Sequence, residues 1–140
     1  MKEQYKHLDQ NNKRIWNFRN IGHTMRQIAE GRASQKRILI LLREMAGMTQ
    51  KELTARLGVQ PRSASEVLNK LEQADLISRI PSEADHRTTD ICLTPAGEQL
   101  AQEAAVKRRE RHEQMFSVLS EQEKDTLIEL LESCLLYTSP

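Results

Sequence analysis

The sequence predicts a mainly α-helical fold that carries a small β-hairpin. Its 140 residues include only five Gly and four Pro, and 38% of them are hydrophobic while 29% are charged, which is typical of a helix-rich globular domain. Apolar residues recur at three- and four-residue spacing along most of the chain, as the buried face of a helix requires. Two short β-like runs, 76–80 and 90–94, interrupt this periodicity. We therefore expect one domain over residues 1–140 with a single hairpin.

Two helices are predicted before residue 48. The spacing of apolar residues predicts the first from about Asn12 to Glu30, ending near Gly31. Ser34 fits the N-cap of the second helix, and Gly47 supplies its stop. Their apolar stripes consist of Ile15, Trp16, Phe18, Ile21, Met25 and Ile28, and of Ile38, Leu39, Leu41, Leu42 and Met45. Both stripes are predicted to be buried.

A short turn joins the third and fourth predicted helices. Thr49 and Glu52 have the spacing of a capping box, in which each side chain accepts a hydrogen bond from a backbone amide at the helix start. Gly58 ends this third helix, and Pro61 opens the fourth, because proline lacks the N–H that would have no partner there. The inward face of the fourth helix consists of Ala64, Val67, Leu68 and Leu71. Its outward face is small and polar.

The two β-like runs are followed by two further helices. A polar segment, 81–89, separates the runs and predicts a long exposed hairpin tip. Thr94 and Pro95 then open a long helix. Ser120 and Glu123 form a second capping box, which predicts the start of a final helix. The apolar stripe of that helix consists of Leu127, Leu130, Leu131, Cys134 and Leu135.

Helix, turn, helix and hairpin, in this order, form the winged helix-turn-helix arrangement, whose second helix fits the major groove of duplex DNA. On that helix Arg62 can donate to guanine O6 and N7, and Glu66 can accept from a cytosine amine, although it would repel a phosphate. Further candidates for contacts with bases or phosphates are Gln60, Ser63, Ser65, Asn69 and Lys70. We expect the base contacts in the N-terminal half of the helix.

The predicted hairpin tip places Arg87 two residues after Asp85. A long arginine side chain can enter the narrow minor groove, where the negative potential of DNA is enhanced. Asp85 can hold the guanidinium in position through a charge-assisted pair. The alternative is a solvated turn whose charges keep a sheet edge soluble, and the spacing alone does not separate the two interpretations.

Four segments match one known pattern in order and spacing: residues 53–59, 71–79, 85–87 and 93–97. The pattern resembles that of the MarR family of bacterial transcription regulators over about residues 38–100. Its most specific part is Asp-x-Arg in the hairpin followed by Leu-Thr-x-x-Gly. In the family, the residue that matches Arg87 enters the minor groove and the one that matches Asp85 supports it. Asp75 stands where the family usually has Gly.

The resemblance implies a winged helix-turn-helix lobe that binds DNA at 34–97, flanked by N- and C-terminal dimerisation helices at 1–31 and 98–137. It also implies a cytoplasmic, ligand-responsive regulator, most often a repressor, that binds double-stranded DNA at a palindromic operator as a homodimer. The apolar stripes of the first and last helices favour the homodimer too, unless they close the core of one chain. A second hypothesis is a winged-helix module that binds a protein instead of DNA.

Other functions find less support in the sequence. A net charge of +1 makes no case for nucleic acid by itself. The residue spacings of catalytic pairs, phosphate loops and zinc ligands do not occur, so we expect neither an enzyme nor a cofactor or metal. No apolar stretch has the length of a membrane span. Trp16, Phe18 and Met25 either line a pocket for a small aromatic or phenolic effector, as the resemblance implies, or belong to the core or the dimer interface.

Overall fold

The computed structural model of the chain describes residues 3–27, 34–85 and 87–138. The elements are α1 (Glu3–Lys6), α2 (Gln10–Met25), α3 (Gln35–Glu44), β1 (Met48–Thr49), α4 (Gln50–Leu57), α5 (Pro61–Gln73), β2 (Ile77–Pro81), β3 (Thr89–Leu93), α6 (Pro95–Phe116) and α7 (Glu121–Thr138). Contacts divide the chain into two compact units, Met1–Ala104 and Ala105–Pro140. Among the described helices, none has both the length and the apolar character needed to cross a membrane.

The N-terminal helix α2 starts two residues earlier than the sequence predicts. Asp9 is its N-cap, because the side chain accepts a hydrogen bond from the backbone amide of Asn12 at 2.8 Å. This bond and a second one from the Asn12 side chain hold the pKa of Asp9 below its usual value. The predicted end of this helix near Gly31 lies outside the described residues. The short helix α1, which the sequence did not indicate, places the Tyr5 ring 4.8 Å from the ring of Trp16.

The prediction that the apolar stripe of α2 is buried is wrong for the single chain. None of the residues of α2 is buried, and Phe18 and Met25 each leave 48% of their surface exposed. The helical spacing shows which residues share a face, but it does not show whether the chain itself covers that face. The same stripe includes Ile15 and Ile21, which are about half exposed.

The core of the first unit lies where α3, α4 and α5 pack on the sheet and the start of α6. Ser34 caps α3 as predicted, since its hydroxyl accepts from the amide of Arg37 at 3.2 Å. Met45 was predicted on the buried stripe, but it is 43% exposed because α3 ends one residue before it. Each fully buried Leu or Ile contributes about 1.5–3 kcal/mol. The core residues are Ile38, Leu39, Leu42, Met48, Leu53, Leu57, Leu68, Leu71, Ile77, Ile91 and Ala101.

The turn between α4 and α5 forms as the sequence predicts. The Thr49 hydroxyl accepts from the Glu52 amide at 3.1 Å, and the Thr49 amide donates to the Glu52 carboxylate at 3.2 Å, so the capping box is confirmed. Gly58 ends α4 in the left-handed conformation, with φ of 64°, which glycine adopts without strain. Pro61 is the first residue of α5, and the predicted inward face of that helix is buried or half-buried.

The sheet is antiparallel in the order β1, β3, β2. The predicted strands 76–80 and 90–94 were each misplaced by one residue, since β2 ends at Pro81 and β3 begins at Thr89. Pro81 is tolerated because β2 is an edge strand. The strand β1 was missed altogether; its two residues pair with β3, Met48 opposite Ile91.

A compact junction connects the end of α5 to the start of α6. Asp75 adopts a left-handed conformation with φ of 57°, which is the conformation that glycine favours at a helix end. The Thr94 hydroxyl donates to the carbonyl oxygen of Asp75 at 2.7 Å and accepts from the amide of Gly97 at 3.0 Å. A Cβ on Gly97 would stand 1.9 Å from the carbonyl oxygen of Leu76. This contact explains the Leu-Thr-x-x-Gly pattern in physical terms.

The second unit contains the end of α6 and all of α7. The amide of Glu123 donates to the Ser120 hydroxyl at 3.1 Å, and the Ser120 amide donates to the Glu123 carboxylate at 2.8 Å, which confirms the second capping box. These bonds hold the pKa of Glu123 below its usual value. None of the residues of α7 is buried, and Leu130 and Leu135 are more than half exposed.

Candidate nucleic-acid interface

The outward face of α5 is polar and accessible at its N-terminal half. The side chains of Arg62 and Glu66 are 93% and 67% exposed, and their Nε and Oε1 atoms stand 3.8 Å apart. Gln60, Ser63 and Lys70 are exposed on the same helix or at its start. An exposed ion pair of this kind contributes little free energy, so the Arg62 guanidinium can exchange Glu66 for another acceptor at small cost.

Two other residues predicted on this face have contacts within the protein. Ser65 is half-buried, and its hydroxyl accepts from the Gln50 side-chain amide at 3.1 Å, which joins α5 to α4. Asn69 accepts at its Oδ1 atom from the Arg79 guanidinium at 2.5 Å. Ser65 and Asn69 therefore differ from Arg62 and Glu66 in bonding to other elements of the protein, although Asn69 is itself exposed.

The tip of the hairpin exposes Arg87. Its side chain is 95% exposed, and its Nε atom lies 3.9 Å from Asp85 Oδ1, too far for a hydrogen bond. The same carboxylate oxygen accepts from the backbone amide of Arg87 at 3.0 Å. Asp85 thus fixes the backbone of the turn, as aspartate side chains do in such turns, whereas the sequence predicted that it would hold the guanidinium.

Ser82 and Thr88 also shape the hairpin tip, and the sequence analysis did not select them. The Ser82 amide donates to the Thr88 carbonyl oxygen at 3.0 Å, and the buried Ser82 side chain accepts from the Ala84 amide at 3.3 Å. Thr88 donates to the Asp85 carbonyl oxygen from its amide at 3.0 Å and from its hydroxyl at 2.9 Å. The Ser-x-x-Asp-x-x-Thr spacing was the available signal, since these side chains commonly bond to nearby backbone.

A second contact that sequence reasoning missed connects the sheet to α5. The Arg79 guanidinium donates from Nε and Nη2 to the two carboxylate oxygens of Glu72, at 3.2 and 3.1 Å. This bidentate contact holds the pKa of Glu72 below its usual value. Arg79 keeps only 20% of its side chain exposed, which is unusual for arginine.

The candidate effector residues lie along α2. Trp16 is half-buried against Tyr5, while Phe18 and Met25 are about half exposed. An open groove of about 480 Å³ lies elsewhere, along α4 and the following turn, and is lined by Gln50, Lys51, Thr54, Ala55, Gly58, Val59 and Pro61. The described residues contain no cluster of three metal-ligating side chains.

Comparison with known proteins gives one consistent family. The model of the MarR family matches residues 32–89. The chain is 29% identical to the helix-turn-helix transcriptional regulator YsmB of Bacillus subtilis over 82 residues, which is 59% of this chain and 56% of YsmB. The crystal structure of MepR of S. aureus bound to DNA is similar with a TM-score of 0.74 and 27% identity, covering 89% of this chain and 96% of MepR. A mutant MarR of E. coli bound to operator DNA is similar with a TM-score of 0.64 and 26% identity, covering 74% of each chain.

The fold and the placement of α4, α5 and the hairpin define a winged helix-turn-helix protein. The β-hairpin of β2 and β3 is the wing. Residues 32–89 match the model of the MarR family, and the structures of MepR and MarR have a similar fold. The part of the chain that matches YsmB spans little more than half of that relative.

Proposed function

We propose that this chain binds duplex DNA as a transcription regulator and inserts the N-terminal half of α5 into the major groove. The observation that carries the proposal is the division of α5 into two faces. Ala64, Leu68 and Leu71 are buried, whereas Arg62 stands almost fully exposed at the end of the helix that enters the groove in this class. The similarity to MepR and MarR, both solved with DNA, supports the proposal.

The proposed base readout uses the exposed residues of α5. Arg62 donates to guanine and Glu66 accepts from a cytosine amine, with Gln60, Ser63 and Lys70 beside them on bases or phosphates. The exposed Arg87 of the wing tip enters the minor groove, and the bond from Asp85 to the turn backbone keeps it pointing outward from a fixed loop. The rigid turn reduces the entropy lost when Arg87 binds.

We also propose that the regulator is a homodimer. The exposed apolar stripe of α2 and the exposed leucines of α7 each offer a surface that a second copy can cover. A two-fold dimer places two recognition helices about 34–36 Å apart on successive turns of a palindromic operator. Trp16, Phe18 and Met25 then belong to the dimer interface or to an effector pocket beside it.

The proposal extends to regulation. As the family resemblance implies, the protein acts in the bacterial cytoplasm as a repressor whose affinity for the operator falls when a small aromatic or phenolic effector changes the distance between the two DNA-binding lobes of the dimer. The proposed regulation requires no catalytic step. An effector screen on the operator complex can test this part separately.

The experiment that tests DNA binding is selection of bound sequences from a randomised duplex pool at two salt concentrations. We expect enrichment of a palindrome, binding that weakens steeply with salt, and weaker binding by Arg87→Ala but not by Lys124→Ala, which removes a charge on α7. If nothing is enriched and no binding occurs at low salt, the proposal fails. A module that binds a protein partner would then be the better account.

A further inference from the structure

We propose that Arg79 is a positioning residue of the DNA interface: it fixes the wing against α5 and so decides where Arg87 stands when α5 enters the major groove. This inference rests on the proposed function. It assigns a role to a contact between β2 and α5 that neither the base-reading nor the minor-groove part of that function uses.

The geometry of Arg79 supports a positioning role. Its guanidinium makes a bidentate contact with Glu72, at 3.2 and 3.1 Å, and a further hydrogen bond to Asn69 at 2.5 Å. Glu72 and Asn69 lie three residues apart, so one strand side chain holds nearly a full turn of the helix. Arg79 keeps 20% of its side chain exposed, against 95% for Arg87, because its guanidinium lies against α5.

The link from Arg79 to Arg87 is continuous. Arg79 lies in the middle of β2, which pairs with β3 along its full length from Ile77 opposite Leu93 to Pro81 opposite Thr89. Beyond these strands, hydrogen bonds among Ser82, Asp85 and Thr88 close the tip. Because the wing is internally bonded, its angle to α5 is set where it contacts its neighbours. Arg79 supplies a polar contact with α5 there, beside the buried Ile77 and Ile91.

The same contact changes the role of Asn69. An asparagine reads adenine with both atoms of its amide, since the oxygen accepts from N6 while the nitrogen donates to N7. In this structure the Asn69 oxygen already accepts from Arg79. We therefore assign Asn69 to holding the wing and expect base readout to be confined to the helix residues before it.

The test is a double-mutant cycle on the selected duplex, which uses the whole protein. In the wild-type background, Arg87→Ala should weaken binding about tenfold or more. In the Arg79→Gln background, the same change should weaken binding less than about threefold, because a wing that is no longer fixed does not deliver Arg87 to the groove. Glu72→Gln should behave like Arg79→Gln. Arg43→Gln, which breaks a 2.9 Å contact with Glu98 remote from the wing, should leave the effect of Arg87→Ala unchanged.

Two results would overturn the inference. An effect of Arg87→Ala that is equally large in both backgrounds means that the wing is positioned without Arg79. A further fall of about 0.9 in the slope of binding against salt when Arg79→Gln is added to Arg87→Ala means that Arg79 itself contacts a phosphate. If Arg79 acts only through Arg87, adding Arg79→Gln to Arg87→Ala leaves that slope unchanged.

Hydrogen exchange of the free protein tests the contact between Arg79 and α5 in the absence of DNA. In Arg79→Gln and Glu72→Gln, the amides of Ala74 and Asp75, at the end of α5 that Arg79 holds, should exchange about tenfold faster than in the wild type or in Arg43→Gln. Unchanged exchange rates contradict the inference even if the protein binds DNA. If the variants exchange faster but the wild-type protein selects no duplex, the contact between Arg79 and α5 is supported and the proposed function is rejected.

Discussion

At the scale of single residues, Gly97 decides how closely α6 approaches the end of α5. A Cβ at this position would meet the Leu76 carbonyl oxygen at 1.9 Å, and neither backbone segment can move without disturbing the other. We expect Gly97→Ala to lower the free energy of unfolding by about 2–3 kcal/mol, as overpacking of a rigid contact does. Urea unfolding measures this change.

Gly58→Ala is the matched control for Gly97→Ala. Gly58 has φ of 64° but nothing within 4 Å of its Cβ position, so alanine costs only the backbone strain of about 1–2 kcal/mol. If Gly97→Ala proves no more destabilising than Gly58→Ala, the close approach of α6 to Leu76 is not what requires glycine.

Asp75 and Ala46 show what the sequence can reveal about single residues. Both have positive φ, 57° and 53°. The family resemblance pointed to Asp75, because glycine usually stands there, and aspartate tolerates this conformation better than most residues. Nothing marked Ala46 in the same way, since alanine is not enriched in left-handed turns; the turn before Gly47 imposes the conformation on it.

At the scale of secondary-structure elements, the contact between Glu72 and Arg79 makes the attachment of β2 to α5 sensitive to acid. Because the folded pKa of Glu72 lies below its ordinary value of 4.5, its charged form stabilises the fold above that pH, and the contribution disappears as the pH falls through the lowered pKa. We expect Glu72→Gln to destabilise the protein at about pH 6 and to lose much of this effect at about pH 3.

Urea unfolding at the two pH values measures the difference between wild type and Glu72→Gln. The same pair of measurements in the Arg79→Gln background is the control, since the cause of the lowered pKa is then absent. If Glu72→Gln lowers the free energy of unfolding of the wild type by as much at about pH 3 as at about pH 6, the role given to the Glu72 carboxylate is contradicted.

The elements that the sequence predicted well are those whose signals are local. Thr49 with Glu52, and Ser120 with Glu123, lie three residues apart and form their bonds within one helical turn. Ser34 and Pro61 likewise act on their own helices. A motif of this kind is complete in a few residues, so its structure follows from the sequence around it.

The elements that were missed depend on distant residues. The strand β1 has only two residues, and it exists because Met48 meets Ile91, far along the chain. The contacts of Arg79 require the wing to lie beside α5, which no spacing in the sequence encodes. For the same reason the sequence placed Ser65 and Asn69 in one group with Arg62 and Glu66 as candidates for contacts with DNA. In the structure Ser65 bonds to Gln50, and Asn69 bonds to Arg79.

At the scale of the whole molecule, the proposed dimer explains why so many apolar residues of α2 are exposed. We expect the wild-type protein to sediment as a dimer and Phe18→Glu to sediment as a monomer, because a charge buried in the pairing surface has no partner. Phe18 is 48% exposed in the single chain, so the fold of the monomer should tolerate the change.

Asn20→Glu is the matched control for the dimer prediction, because it adds the same charge at an exposed position on the opposite side of α2 from Phe18. Sedimentation velocity at matched concentrations distinguishes the species. A Phe18→Glu protein that remains dimeric would mean that the stripe of α2 is not the pairing surface.

Selection of operator sequences with Arg62→Ala tests whether the N-terminal half of α5 reads bases in the major groove. We predict that the variant still folds and still enriches a palindrome, but loses preference for guanine at one symmetric pair of positions, at a cost of about 1–3 kcal/mol per site. Enrichment of the wild-type sequence at every position by Arg62→Ala would contradict base reading by this half of α5, because an almost fully exposed cation there would then have no part in reading DNA.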